Sequence, residues 1–89
     1  MAKAEISWKR RTEDGQRLEV YAHHVGDRWI FYSRERRIGD YAVVEHPPLQ
    51  DWLELLDSLV RLVNRRRYQP SDEELLRRQI RERFPEAGV

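Results

Sequence analysis

Residues 17–34, RLEVYAHHVGDRWIFYSR, decide the fold of this chain. Two runs rich in β-branched and aromatic residues flank the dipeptide Gly26-Asp27, a pattern that is typical of a β-hairpin with a two-residue turn. This turn places Glu19 opposite Arg34. The pair brings opposite charges together across the two strands, which favours the register.

The same alternation of apolar and polar residues continues on both sides of this hairpin. It predicts an antiparallel meander of four strands over about residues 5–45. The strands are expected at residues 6–12, 17–25, 28–34 and 41–45, with turns at 13–15, 26–27 and 36–40.

The first turn leaves two registers open. If residues 13–15 form a three-residue turn with a glycine bulge, Ile6 and Trp8 share the sheet face of Val20. If the turn has two residues, they share the face of Tyr21, because a slip of one residue moves a strand's side chains to the other face. We favour the three-residue turn because it collects the purely apolar residues on one face.

The spacing becomes helical after His46-Pro47-Pro48. Apolar residues, most of them leucine, recur at helical intervals and predict an amphipathic helix over about residues 48–67. Leu55 and Leu62 form a second apolar line on its flank. Pro70 is expected to end this helix. A capping box of Ser71 and Glu74 is expected to begin a second helix, over residues 71–84.

The sequence therefore predicts one domain of the α+β class, a four-stranded antiparallel β-meander followed by two helices packed on one face. Most of the core is expected to consist of Trp8, Val20, Ala22, Trp29, Phe31, Val43, Trp52, Leu53, Leu56, Leu59, Val60, Val63, Leu76, Ile80 and Phe84.

The other face of the predicted sheet mixes aromatic rings, cations and apolar residues, and two helices on one face cannot cover both faces. A domain of 89 residues seldom leaves a large apolar patch in water without a use. We expect this face to contact a partner. Its candidate residues are Lys9, Arg11, Tyr21, His23, Ile30, Tyr32 and Arg34.

Two functions fit such a face. The first is a non-enzymatic interaction module that forms a homodimer or binds another protein, with the sheet face as the expected interface and the Leu55 and Leu62 flank as the less favoured one. The alternative is a nucleic-acid-binding domain that stacks bases on the rings and contacts phosphates with the cations. The balance of 17 basic and 16 acidic residues does not favour this alternative.

The sequence contains no motif for catalysis or for a cofactor. The absence of cysteine excludes a disulfide, a thiolate zinc site and a cysteine nucleophile. His23 and His24 are adjacent in a predicted strand, so they point to opposite faces and cannot chelate one metal ion. The early acids of the first helix, Asp51, Glu54 and Asp57, are expected to lie on a solvated or dipole-matched face. We therefore expect no enzyme, no cofactor and no metal site.

No apolar run is long enough to cross a bilayer, and residues 1–11 lack the apolar segment of a signal peptide. The sequence predicts a cytoplasmic protein without membrane contact.

Overall fold

The computed structural model describes residues 5–35 and 39–89, so residues 36–38 of the predicted turn at 36–40 lie outside it. Four antiparallel strands form one sheet in the order β1-β2-β3-β4, and two helices and a short 3-10 turn follow. This confirms the predicted α+β class. The elements are β1 Glu5–Arg11, β2 Arg17–Val25, β3 Arg28–Glu35, β4 Ala42–Val44, α1 Leu49–Asn64, α2 Pro70–Arg83 and the 3-10 turn Pro85–Ala87.

The β2–β3 hairpin has the predicted register. Val25 pairs with Arg28 across the two-residue turn, and Glu19 pairs with Arg34. Gly26 has a φ of +61°, in the left-handed region that glycine adopts without steric cost. Local turn chemistry therefore determines the pairing of the two central strands.

The β1–β2 hairpin has the three-residue turn that we favoured. The Thr12 N–H donates to the Gln16 carbonyl at 2.8 Å and closes the loop, in which Gly15 has a φ of +89°. Trp8 consequently pairs with Val20, which places the apolar side chains of β1 on the same sheet face as those of β2 and β3.

Both helices pack on this face. The buried core consists of Ile6, Val20, Ala22, Trp29, Phe31, Trp52, Leu55, Leu56, Leu59, Leu76 and Ile80, and Trp8, Val60, Val63 and Phe84 are half-buried against it. Among the described residues, no helix is long and apolar enough to span a membrane.

The predicted burial of the leucine side chains of α1 was wrong. Leu55, which we assigned to a surplus flank, is completely buried, and Leu62 is half-buried against the core. Leu53, which we assigned to the core, is 39% exposed. The helix turns this way because β1 side chains bind Asp51, one turn before Leu55 and on the same flank.

The prediction of Val43 as a core residue was also wrong. Val43 pairs with Tyr32 and is 56% exposed on the sheet face away from the helices. Its neighbour Val44 packs partly against the core instead. In a strand of three residues, the choice between the two faces depends on the pairing to β3 rather than on the strand's own pattern.

Helix α1 ends earlier than predicted, at Asn64. Arg66 adopts a left-handed conformation with a φ of +62°. The Arg67 N–H then donates to the Leu62 carbonyl, and the Arg66 N–H donates to the Val63 carbonyl, each at 2.9 Å. This is the hydrogen-bond pattern of a Schellman motif, which closes the helix before Pro70 is reached.

Helix α2 begins one residue before the predicted start. Gln69 is the N-cap residue and Pro70 is the first helical residue. The Asp72 carboxylate accepts the Gln69 N–H at 2.9 Å, so the predicted box of Ser71 and Glu74 is wrong. Proline suits this position because the first helical N–H has no partner within the helix.

Candidate interaction surface

The seven candidate residues all lie on the sheet face opposite the helices, which we call the open face. The observed register and the alternation of side chains along each strand place them there. Lys9 and Arg11 are exposed, and the other five are half-buried. The structure adds Tyr41 and Val43 to this surface.

Three tyrosines form a cluster at the centre of the open face. The Tyr21 and Tyr32 rings are stacked, with centroids 4.7 Å apart and an angle of 12° between their planes. Tyr41 meets Tyr21 edge-on at 4.8 Å. Desolvation and, to a smaller extent, the neighbouring Tyr32 raise the pKa of the Tyr21 hydroxyl above its ordinary value. The three rings therefore form one continuous aromatic patch.

An ion pair borders the cluster. Arg34 Nε donates to Glu19 Oε1 at 2.8 Å, and the Arg34 guanidinium carbon lies 4.6 Å from the Tyr41 ring centroid. The Tyr41 hydroxyl donates to the same carboxylate oxygen at 3.3 Å. The hydrogen bond from Arg34 lowers the pKa of the Glu19 carboxyl. Arg34 is thus engaged within the chain.

A groove rich in cations lies at the end of the sheet near the first turn. It has a volume of about 350 Å³, and its lining consists of Lys9, Arg10, Arg11, Arg17, Leu18 and Glu19. Arg11 and Arg17 are directly paired across β1 and β2, an unfavourable arrangement for like charges. Among the described residues, no carboxylate lies within 4.0 Å of either side chain. This end of the surface is suited to an anionic group.

The two strand histidines lie on opposite faces, as predicted. His23 Nδ1, on the open face, is 3.7 Å from a Glu5 carboxylate oxygen. His24 stacks on Trp29 on the helix side, with ring centroids 4.5 Å apart. Within residues 5–35 and 39–89, no three His, Asp or Glu side chains cluster in a way that could hold a metal ion.

Glu54 and Asp57 are solvent-exposed as expected, and Asp51 lies in the first turn of α1, but Asp51 does not lie on a solvated face. Its side chain is 4% exposed and accepts hydrogen bonds from Arg10 Nε at 2.7 Å, Arg10 Nη2 at 3.0 Å and Trp8 Nε1 at 3.2 Å. This bidentate pair attaches the start of α1 to β1. These three hydrogen bonds give the Asp51 carboxylate a structural role.

Sequence reasoning missed Tyr41 and Val43 as surface residues. The β2–β3 hairpin turn predicted the members on those two strands, and the three-residue first turn predicted Lys9 and Arg11 on β1. The position of β4 depends instead on the connection after β3, which carries no turn motif as specific as Gly26-Asp27.

No known protein family, no curated protein and no solved structure matches this chain.

Proposed function

We propose that this protein is a small non-enzymatic interaction module that binds protein chains, a second copy among them, through the parts of its sheet that the helices leave uncovered. The observation that carries this proposal is the open face, where Tyr41 and Val43 remain exposed beside the stacked tyrosines. Aromatic and aliphatic side chains bordered by arginine are characteristic of the centre of protein interfaces.

The state of the tyrosine rings favours a protein partner over a nucleic acid. Base stacking requires an accessible ring face. Tyr21 and Tyr32 stack on each other, and Tyr41 has the Arg34 guanidinium over its ring, so one face of each of the three rings is already occupied. A protein side chain can pack against the ring edges and Val43 without displacing these contacts.

One observation favours the alternative function. The groove near the first turn has more cations than carboxylates in its lining, and among the described residues no carboxylate lies within 4.0 Å of Arg11 or Arg17. Phosphates of a single-stranded nucleic acid would fit this charge. Such binding would weaken steeply with added salt, because the phosphates release condensed counterions.

Two carboxylates that are hydrogen-bonded within the fold support the non-enzymatic assignment. Asp51 accepts three hydrogen bonds from Arg10 and Trp8, and Glu19 is bound by Arg34 and Tyr41. A general acid or base needs a carboxyl group that can reach a substrate proton.

Sedimentation equilibrium over a range of protein concentrations tests the proposal, together with a titration against single-stranded DNA and RNA at two salt concentrations. We expect concentration-dependent self-association that weakens with salt far less than phosphate binding would, and no nucleic-acid binding at low salt. A protein that stays monomeric at high concentration and binds nucleic acid only at low salt would favour the alternative.

Two variants show whether the open face itself holds the second copy. Tyr32→Glu places a charge within the tyrosine cluster, and Val43→Glu places one at its exposed rim. Leu53→Glu, on the helix layer, is the matched control because Leu53 is also a partly exposed aliphatic residue. A shift to monomer in both open-face variants but not in the control assigns self-association to this face.

A further inference from the structure

Strand β1 forms one edge of the sheet. The first turn determines which residues of β1 direct their backbone N–H and C=O groups toward β2. The Thr12 N–H bonds to the Gln16 carbonyl. Bonded and non-bonded pairs alternate along an antiparallel ladder, so the even-numbered residues of β1 bond to β2. The backbone N–H and C=O groups of the odd-numbered residues therefore face outward. These residues, all exposed, are Glu5, Ser7, Lys9 and Arg11.

We infer that two copies of this chain pair antiparallel along β1, around a two-fold axis that passes Trp8. The inference rests on the proposed self-association and assigns it to a surface. Outward groups of one copy then bond to outward groups of the other, and the two sheets become continuous. A two-fold axis presents the same edge twice, so the edge must complement itself.

The charges along β1 meet this requirement. With the axis at Trp8, Glu5 lies opposite the partner's Arg11 and Ser7 lies opposite the partner's Lys9. By symmetry the oppositely charged pair occurs twice. Opposite charges directly across an antiparallel pair are favourable, and each hydrogen-bonded pair also exchanges two backbone bonds.

Neighbouring registers are poorer. An axis at Lys9 sets Lys9 against the partner's Lys9 and leaves Glu5 without a strand residue opposite. An axis at Ser7 pairs Glu5 with the partner's Lys9 but leaves Arg11 beyond the paired segment. If the partner's strand is shifted by a single residue, odd-numbered residues of one copy face even-numbered residues of the other. The backbone groups of those even-numbered residues already bond to β2. The register centred on Trp8 alone uses all of Glu5–Arg11.

The environment of Arg11 within one chain gives independent support. Arg11 lies opposite Arg17, and among the described residues no carboxylate is within 4.0 Å of it. Within residues 5–35 and 39–89, the group that lies within 4.0 Å of the Glu5 carboxylate and is a cation when protonated is His23, at 3.7 Å. Pairing along β1 would place a permanently charged partner of opposite sign beside each of these side chains, which the described part of its own chain does not do.

This arrangement leaves the open face accessible. The sheet grows at its edge, so the two tyrosine clusters come to lie on the same side of one continuous sheet. A partner with two binding segments would then meet two docking surfaces at once, which raises its overall affinity through effective concentration.

Charge reversal tests the register. Glu5→Arg and Arg11→Glu each place like charges in both symmetric pairs, and each should weaken dimerisation about tenfold. The double variant Glu5→Arg/Arg11→Glu restores opposite charges and should return to within about threefold of the wild type. Arg28→Glu, an exposed cation of β3, is the control and should leave the dimer unchanged.

Ser7→Pro tests the backbone pairing separately. The Ser7 N–H faces outward, so proline removes no bond to β2 and is tolerated at such an edge position. It should weaken the dimer, while circular dichroism should show an unchanged fold.

The outcomes separate the inference from the proposed function. A monomeric wild type removes both. A wild-type dimer that is insensitive to the β1 variants but dissociated by Val43→Glu keeps the proposed function and overturns the edge pairing. Rescue in the double variant, with Val43→Glu still dimeric, establishes pairing along β1.

Discussion

The side chain of Gln79 on α2 hydrogen-bonds to both backbone groups of Trp29 on β3. The Trp29 N–H donates to Gln79 Oε1 at 3.2 Å, and Gln79 Nε2 donates to the Trp29 carbonyl at 3.5 Å. Strand β4 pairs only with Phe31–Ser33, so it does not reach Trp29. The amide of Gln79 takes the place of the missing strand residue and joins α2 to the sheet.

We predict that Gln79→Leu destabilises the protein by about 1–3 kcal/mol, because it leaves two buried backbone groups of Trp29 without partners. Gln79 is only 5% exposed, so water cannot readily replace the amide. Urea unfolding measures the loss, and hydrogen exchange of the Trp29 amide should accelerate. Arg78→Leu, an exposed position on the same helix, is the control, and equal losses in both variants would contradict the assigned role.

The Arg10–Asp51 pair should show strong coupling. Each single change, Arg10→Met or Asp51→Leu, leaves a mostly buried charged group without its partner. We expect the double variant to be more stable than the sum of the single losses implies, with a coupling energy of about 1.5–3 kcal/mol. A double-mutant cycle of unfolding free energies measures this quantity. Additive losses would show that Arg10 and Asp51 do not stabilise each other.

The parts of the fold that could be predicted are local in sequence. The β2–β3 register follows from Gly26-Asp27, and the position of Gly15 favours a turn that sets β1. In each case the residues that decide the structure lie beside the strands that they organise. The part of the open face on β1, β2 and β3 follows from these two turns, because alternation along paired strands then assigns each of their side chains to a face.

The rotation of α1 could not be predicted from its own sequence. Leucines 53, 55, 56, 59 and 62 extend over more than one side of the helix, so periodicity alone does not select the buried side. The decision comes from Asp51, which is bound by Trp8 and Arg10 more than forty residues earlier in the chain. The hydrogen bonds between Gln79 and Trp29 could not be predicted either, because the two residues are 50 positions apart in the chain.

The observed rotation predicts unequal costs for two leucine truncations in α1. Leu55→Ala removes a side chain with no exposed surface and should destabilise the protein by about 2–5 kcal/mol. Leu53→Ala truncates a side chain that is 39% exposed and should cost about 1 kcal/mol or less. Thermal or urea unfolding compares the two variants. A larger cost for Leu53→Ala would mean that the helix is rotated the other way.

The end of α1 carries backbone strain that glycine should relieve. Arg66 has a φ of +62° in the Schellman motif, where a side chain is unfavourable and glycine is preferred. We predict that Arg66→Gly stabilises the protein by about 0.5–1 kcal/mol. Arg65→Gly is the control, because Arg65 has a φ of −91° and gains nothing from glycine. A loss of stability in Arg66→Gly, measured by urea unfolding, would contradict the assigned strain.

The ion pair of the open face should make stability depend on pH. The hydrogen bond from Arg34 lowers the pKa of the Glu19 carboxyl in the folded protein, so at acid pH the unfolded chain binds more protons at this residue than the folded chain. The stabilisation is present above the ordinary pKa of glutamate and is lost as the pH falls through the folded value. Glu19→Gln should therefore lower stability near neutral pH, and its difference from the wild type should shrink under acid conditions. Urea unfolding at a series of pH values measures this difference, with Glu82→Gln, exposed on α2, as the control for loss of one carboxylate. A difference that stays constant or widens as the pH falls would show that Arg34 does not stabilise the ionised Glu19.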